Sequence, residues 1–283
     1  LLLIIGGYLI WLWIYPPLPH SLQKQLFEGI RYLREVRRLP RPLVINLLLV
    51  DLTNQQLSFL VTPGEKMAPG EFRARTTSQF LTEFKLQVAI NGSFFFPFHS
   101  NAPWDYYPHV GDPVKVLGFC SSRGQVYSPA NKYFKTFYLS ADNRAAFEQP
   151  LGEIYNAISG KELLLKQGQP QESLTKGEYN TTPYPRTAMA LDQEANTLIL
   201  MVVDGKQTGY SEGVTLLELA EIIKEYQGYT ALNLDGGGST TLVMEGSLGN
   251  PILLNSPFHT RIRGRERPVA NHLGIYVSPG GRN

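Results

Sequence analysis

The sequence predicts an α+β fold, a mixed β-sheet with flanking helices preceded by an N-terminal hydrophobic helix. Three observations predict it. Short apolar, β-branched or aromatic runs recur between Gly, Pro, Asn and Asp; one amphipathic stretch follows a helix-capping signal; and the first fifteen residues carry no charge. The 283 residues are 43% hydrophobic and 18% charged, a composition that excludes wholesale disorder. Lys and Arg number 26 against 24 Asp and Glu, and no basic tract interleaves with aromatics, so nucleic acid is excluded as a partner. Cys120 is the only cysteine, which rules out an intramolecular disulfide framework and cysteine-based metal sites.

In chain order, the uncharged run extends to Leu18, with Trp11, Trp13 and Tyr15 near its end, as at a membrane–water boundary. It runs into Pro16 and Pro17 rather than small residues suited to cleavage, so residues 1–18 read as an uncleaved anchor holding the remainder outside the cytoplasm. Lys24, Arg31, Arg34, Arg37, Arg38 and Arg41 pull against that orientation. Residues 19–41 read as an amphipathic linker helix, because Leu22, Leu26, Ile30, Leu33 and Val36 fall three or four apart. Pro40 and Pro42 stop it, and 42–283 is expected to form one independently folding domain.

Within that domain, strands are predicted at 43–52, 86–96, 114–120, 186–191, 198–203, 231–234 and 240–244. The polar stretch 192–197 joins two of them as an antiparallel hairpin. Thr215 and Glu218 form a capping box for a helix with Leu216, Leu219, Ala220 and Ile223 on one face and Gly228 as its stop. Strand, helix and strand then make a crossover whose strands run parallel, hence a mixed sheet.

Familiar catalytic signatures fail. Gly237-Gly238-Ser239-Thr240-Thr241 has Thr where a nucleophile elbow needs Gly; Gly160-Lys161 and Gly205-Lys206 lack the Ser or Thr of a phosphate loop; the five histidines form no zinc pair. The strongest local signal is Asn233-Leu234-Asp235-Gly236-Gly237-Gly238-Ser239-Thr240. A carboxylate at a strand's end beside three glycines suits close approach of a sugar or anion, and equally suits a glycine-rich turn. Asn91-Gly92-Ser93 breaks an aromatic strand, where Asn91 could orient hydroxyls or merely turn the chain. Arg186-Thr187-Ala188 opens a strand with a guanidinium fork that fits phosphate or simply faces solvent.

Together these segments resemble the phosphodiester glycosidase family. Its order is matched by Asn91 to Phe95, Arg186 to Ala188, Asp204-Gly205, the helix from Thr215 to Ala220, Asn233 to Ser239, and Arg267 to Asn271. Departures are Ser93, where Gly or Ala is frequent, and an aromatic-rich elaboration at 96–108. The resemblance implies a hydrolase that splits a sugar-1-phosphodiester into free sugar and phosphomonoester, in glycan or exopolysaccharide metabolism, with N-acetylglucosamine as a family sugar and no required cofactor. It implies catalytic roles for Asp235, Arg186 (on phosphate) and Asn91, and substrate contacts from Asp204, Gly205, Thr187, Asn233, Gly236, Gly237, Gly238, Ser239, Thr240 and Asn271. Two alternatives stay open. Asp235 and Asp204 could hold Ca²⁺ or Mg²⁺ for attack at phosphorus. Or the chain could bind glycans without turnover, using Trp104, Tyr106 and Tyr107 for stacking.

Overall fold

The computed structural model describes residues 17–65 and 71–278. It is β-rich, with 44% strand and 11% helix, which corrects the α+β expectation. The anchor predicted over 1–18 falls, apart from its last two residues, outside the described residues. Among those described, no helix is long and apolar enough to cross a membrane.

Eight strands form the large sheet, in the order Leu22–Phe27, Ile30–Arg37, Leu43–Asp51, Thr197–Val203, Arg186–Leu191, Thr230–Asn233, Leu163–Lys166 and Gln169–Pro170. A second sheet of five runs Pro251–Leu253, Leu242–Glu245, Val88–Asn91, His272–Val277 and Leu57–Val61. A third, also of five strands, is centred on Asn156–Gly160. Side chains alternate across each strand, so each sheet has two faces to cover. Met189, Leu191, Leu200 and Val202 point from the large sheet into a core shared with Phe59, Val88, Ile90, Leu242 and Ile275 of the second. Their neighbours Ala188, Ala190, Ile199 and Met201 point the other way, beneath the helix Leu216–Glu225. On the far face of the second sheet, Leu60, Ala89 and Val243 lie under the helix Thr77–Phe84. The layers are therefore helix, sheet, sheet, helix. Burial of both faces explains near-continuous apolar runs such as Leu47-Leu48-Leu49-Val50.

The helix after Thr215 forms as predicted: Thr215 Oγ1 accepts from the Glu218 amide and the Glu218 side chain accepts from the Thr215 amide. The helix Thr77–Phe84 was not anticipated, although Thr76 and Gln79 make the same reciprocal cap and are its sequence signal. The predicted hairpin of Arg186–Leu191 and Thr197–Val203 is present in unbroken register. The mixed sheet is not. Arg186–Leu191 lies between the two strands of the crossover and pairs antiparallel with both, so they are parallel without touching. Among the described residues every strand ladder is antiparallel.

The linker helix predicted over 19–41 is a β-hairpin, Leu22–Phe27 and Ile30–Arg37, turned at Glu28-Gly29 with Gly29 at φ +77°. Ile30–Arg37 pairs along its whole length with Leu43–Asp51, which buries Ile30 and Tyr32. A long ladder plus burial outweighs a helical spacing that would have left one face without a partner. The hairpin is thus part of the large sheet. Arg37 and Arg41 also reach Glu225 and Glu218 on the covering helix.

The feature that positions the site is a crossing. Thr230–Asn233 belongs to the large sheet and Leu242–Glu245 to the second, so residues 234–241 pass from one sheet to the other.

Candidate active site

Asp235 sits on this crossing. Its amide donates to the Gly92 carbonyl (3.1 Å), and its own carbonyl accepts from Asn91 Nδ2 (2.7 Å). Asn91 Oδ1 in turn accepts from Thr187 Oγ1 (2.9 Å) and the Thr241 amide (3.1 Å). Asn91 is fully buried and its side-chain amide is held on both atoms by protein, so it fixes the crossing from below. Thr187 and Thr240, also buried, stack their hydroxyls beside it, 3.4 Å apart. Asn271 performs the same service one layer down: its Oδ1 accepts from the Ser93 amide (2.7 Å), and its Nδ2 donates to Ser93 Oγ (3.2 Å).

Asp235 is half-buried. Burial of the carboxyl pushes its pKa up to about 6, against the opposing pull of Arg267, the Ser239 hydroxyl and the Gly236 amide. Ser239 Oγ accepts from Arg267 Nη1 (3.3 Å). Arg267 Nε donates to His259 Nδ1 (3.4 Å). His259 is buried between Tyr106 and this guanidinium, and burial together with Arg267, Arg265 and His109 lowers its pKa to about 3. It is a neutral acceptor that aims Arg267. Two glycines suit the backbone and close packing here. Gly237 holds φ +63°, and a Cβ on Gly238 would lie 2.8 Å from Arg267 Nη2.

Gly238 and Arg267 form the floor of a cleft of about 890 Å³, rimmed by Trp104, Tyr184, Lys206 and Arg261. The cleft's described lining contains no carboxylate. Of the predicted aromatic stacking group only Trp104 lines it, with 83% of its surface exposed. Tyr106 packs on His259, and Tyr107 donates to the Pro113 carbonyl (2.6 Å).

Arg186, Asp204, Gly205 and Asn233, all predicted from sequence, sit away from the cleft. Arg186 is 0% exposed: Nε donates to the Val214 carbonyl (3.2 Å), and Nη2 donates to those of Tyr179 (2.6 Å) and Thr182 (3.0 Å). Its guanidinium lies over the Tyr179 ring (4.6 Å). It staples segments together, and the cleft arginine is Arg267. Asp204 is 1% exposed, accepting from Asn255 Nδ2 (2.9 Å) and the Ser256 amide (3.0 Å). Burial drives its pKa to about 7. Asn255 also donates to the Thr240 carbonyl (3.1 Å), so Asp204 braces the crossing from outside it. Gly205 packs against Pro185 and Gly213 beside it. Asn233 donates to Glu162 (3.0 Å) and to the Tyr179 hydroxyl (3.3 Å), beneath Asp235. Among the described residues no three His, Cys, Asp or Glu side chains gather as a metal-binding group.

His259, Lys206 and Arg261 have no site role in the sequence reading, and Arg267 enters it only as the guanidinium of a motif, without a role at the site. Arg267 opens the segment that ends at Asn271, and Lys206 directly follows Asp204-Gly205; nothing local marks His259 or Arg261.

The sequence pattern of the phosphodiester glycosidase family matches residues 84–276. N-acetylglucosamine-1-phosphodiester alpha-N-acetylglucosaminidase of Bos taurus is 30% identical over 128 residues, covering 41% of this chain and 23% of that protein. The Homo sapiens protein of the same name is 29% identical over 128 residues, covering 41% and 24%. The match thus spans about a quarter of these relatives' length. The zebrafish catalytic domain of that name, auto-inhibited by its pro-peptide, superposes with TM-score 0.64 at 22% identity, over 91% of this chain and 87% of that one. A hypothetical protein from Synechocystis gives TM-score 0.60 at 17% identity, over 92% and 64%.

Proposed function

The chain belongs to the phosphodiester glycosidase family, and from that premise we propose that it hydrolyses a sugar-1-phosphodiester, with N-acetylglucosamine as the sugar, at the bond between anomeric carbon and phosphate oxygen. The observation that carries this reading is one half-buried residue, Asp235, whose carboxyl pKa burial raises to about 6 against the pull of Arg267, the arginine that lines the cleft. Water attacks the anomeric carbon and gives its proton to Asp235. The carbon–oxygen bond breaks, and its electron pair leaves with the phosphomonoester. A phosphate leaving group already disperses charge, so no second carboxyl is needed as acid; Arg267 receives the departing oxygens. His259 and Ser239 hold Arg267 in place for that task.

Residues 1–18 as a membrane anchor, and a domain outside the cytoplasm acting on glycans or exopolysaccharide, belong to the same proposal. They rest on the uncharged run and its aromatic end. Membrane fractionation of the full chain tests them: recovery only in the soluble fraction overturns the anchor.

Hydrolysis of N-acetylglucosamine-1-phosphomethyl ester in ¹⁸O-labelled water tests the chemistry. The expected result is free sugar and unlabelled methyl phosphate. Label in the phosphate product means attack at phosphorus and overturns the assignment, as does absence of turnover.

A further inference from the structure

The cleft carries more positive charge than a phosphodiester requires. Such a diester has one negative charge, and Arg267 on the floor faces it. Lys206 and Arg261, both exposed, remain at the mouth. Neither forms an ion pair among the described residues, and no carboxylate lines the cleft beside them. Lys206 Nζ rests over the Tyr184 ring at 3.6 Å, a contact that leaves its charge unneutralised.

Their backbones are unusual. Lys206 sits at φ +59°, Thr260 at +51° and Arg261 at +64°. Thr260 and Arg261 are the two loop residues of the hairpin closed by His259 and Ile262, where Asn-Gly or Gly-Gly would be at ease. A β-branched residue in the left-handed region is an outlier, and such strain persists where the surroundings over-determine it. Here Arg265 Nη1 donates to Thr260 Oγ1 (2.9 Å) and to the Pro103 carbonyl (2.8 Å), locking the turn against the segment that carries Trp104. The strained turn thus holds Arg261 at the cleft that Lys206 also lines.

We infer that Lys206 and Arg261 form a second anion subsite, so that the preferred substrate bears a further phosphate on the group the sugar-1-phosphate is esterified to. The inference rests on the proposed hydrolysis only for the choice of substrate. Two exposed cations screened by solvent give about a tenfold preference, diminishing with salt.

The test compares two N-acetylglucosamine-1-phosphodiesters of glycerol, one plain and one carrying a phosphate on glycerol's far hydroxyl. The expected result is a KM about tenfold lower for the second at low salt, with the ratio falling to about one in the Lys206→Gln/Arg261→Gln double variant. Equal KM values, or a ratio that survives in the double variant, overturn the inference. Arg261→Gly is the second variant: it relieves the left-handed strain, so its melting temperature rises while the preference drops. An unchanged preference in Arg261→Gly also overturns the subsite. Should neither ester turn over, calorimetric titration with glycerol 1,3-bisphosphate against glycerol 1-phosphate still reads the subsite. Tighter bisphosphate binding that the double variant loses upholds it while the hydrolysis proposal falls; equal binding overturns it.

Discussion

A carboxylate titrating near pH 6 changes charge within the range where activity can be assayed. If ionised Asp235 takes the proton from water, kcat/KM rises about tenfold per pH unit below 6 and levels off above it, because the raised pKa leaves the acid form dominant on the low side. Asp235→Asn is expected to lower kcat by about 10²–10⁴-fold with no loss in melting temperature. Retained activity, or a flat pH profile through 6, removes Asp235 from the mechanism. This residue was legible in the sequence because a strand-end carboxylate beside three glycines is a local pattern. The choice of arginine was not. Arg186 and Arg267 each open a short motif, and sequence does not show that one is sealed under Tyr179 while the other floors a cleft.

Burial gives Arg186 work at the scale of elements. Its bonds to Tyr179, Thr182 and Val214 tie the short helix Glu178–Thr181 and the lead-in to Leu216–Glu225 onto the strand that Arg186 begins. Arg186→Met strands those carbonyls and is expected to destabilise the fold by about 3 kcal/mol in denaturant titration. A large fall in kcat with unchanged stability would instead return Arg186 to the phosphate. The hairpin Leu22–Phe27/Ile30–Arg37 shows why element type was misread. Its apolar spacing satisfies a helix locally, and only the ladder to Leu43–Asp51, invisible to a window of neighbouring residues, selects the strand. The capped helix at Thr215 was legible because capping is settled within four residues.

For the whole molecule, the hairpin's place in the large sheet predicts that removing residues 1–41 leaves Leu43–Asp51 as a bare apolar edge. That truncated protein is expected to aggregate, as light scattering would show, whereas an independent domain from Pro42 onward would stay monodisperse. Titration offers a second check. The Asp204 carboxyl is more easily protonated in the fold than in the unfolded chain, so its contribution is greatest below pH 4 and is lost as pH rises to about 7. His259 and His272, both lowered to about 3, slope the opposite way below pH 6.5, so only a difference isolates Asp204. Asp204→Asn minus wild type should therefore gain stability across pH 4 to 7, on the order of 4 kcal/mol in total. A flat difference curve would show that Asp204 is not held neutral.

The crossing at 234–241 has one more consequence. Catalytic loops usually belong to the least protected parts of a fold and open by themselves. This one is riveted at both margins, by Leu234 to Thr187 and Asp235 to Gly92, and by Thr241 to Asn91. It cannot lift without shearing one sheet past the other. Its amides at Asp235, Gly237 and Thr241 should accordingly exchange with deuterium only through global unfolding, as slowly as the strands on either side. Exchange orders of magnitude faster than those strands would mean that the rivets open independently. With slow exchange, the protein keeps the carboxylate proposed to take the proton in its most persistent structure and leaves adaptation to the rim.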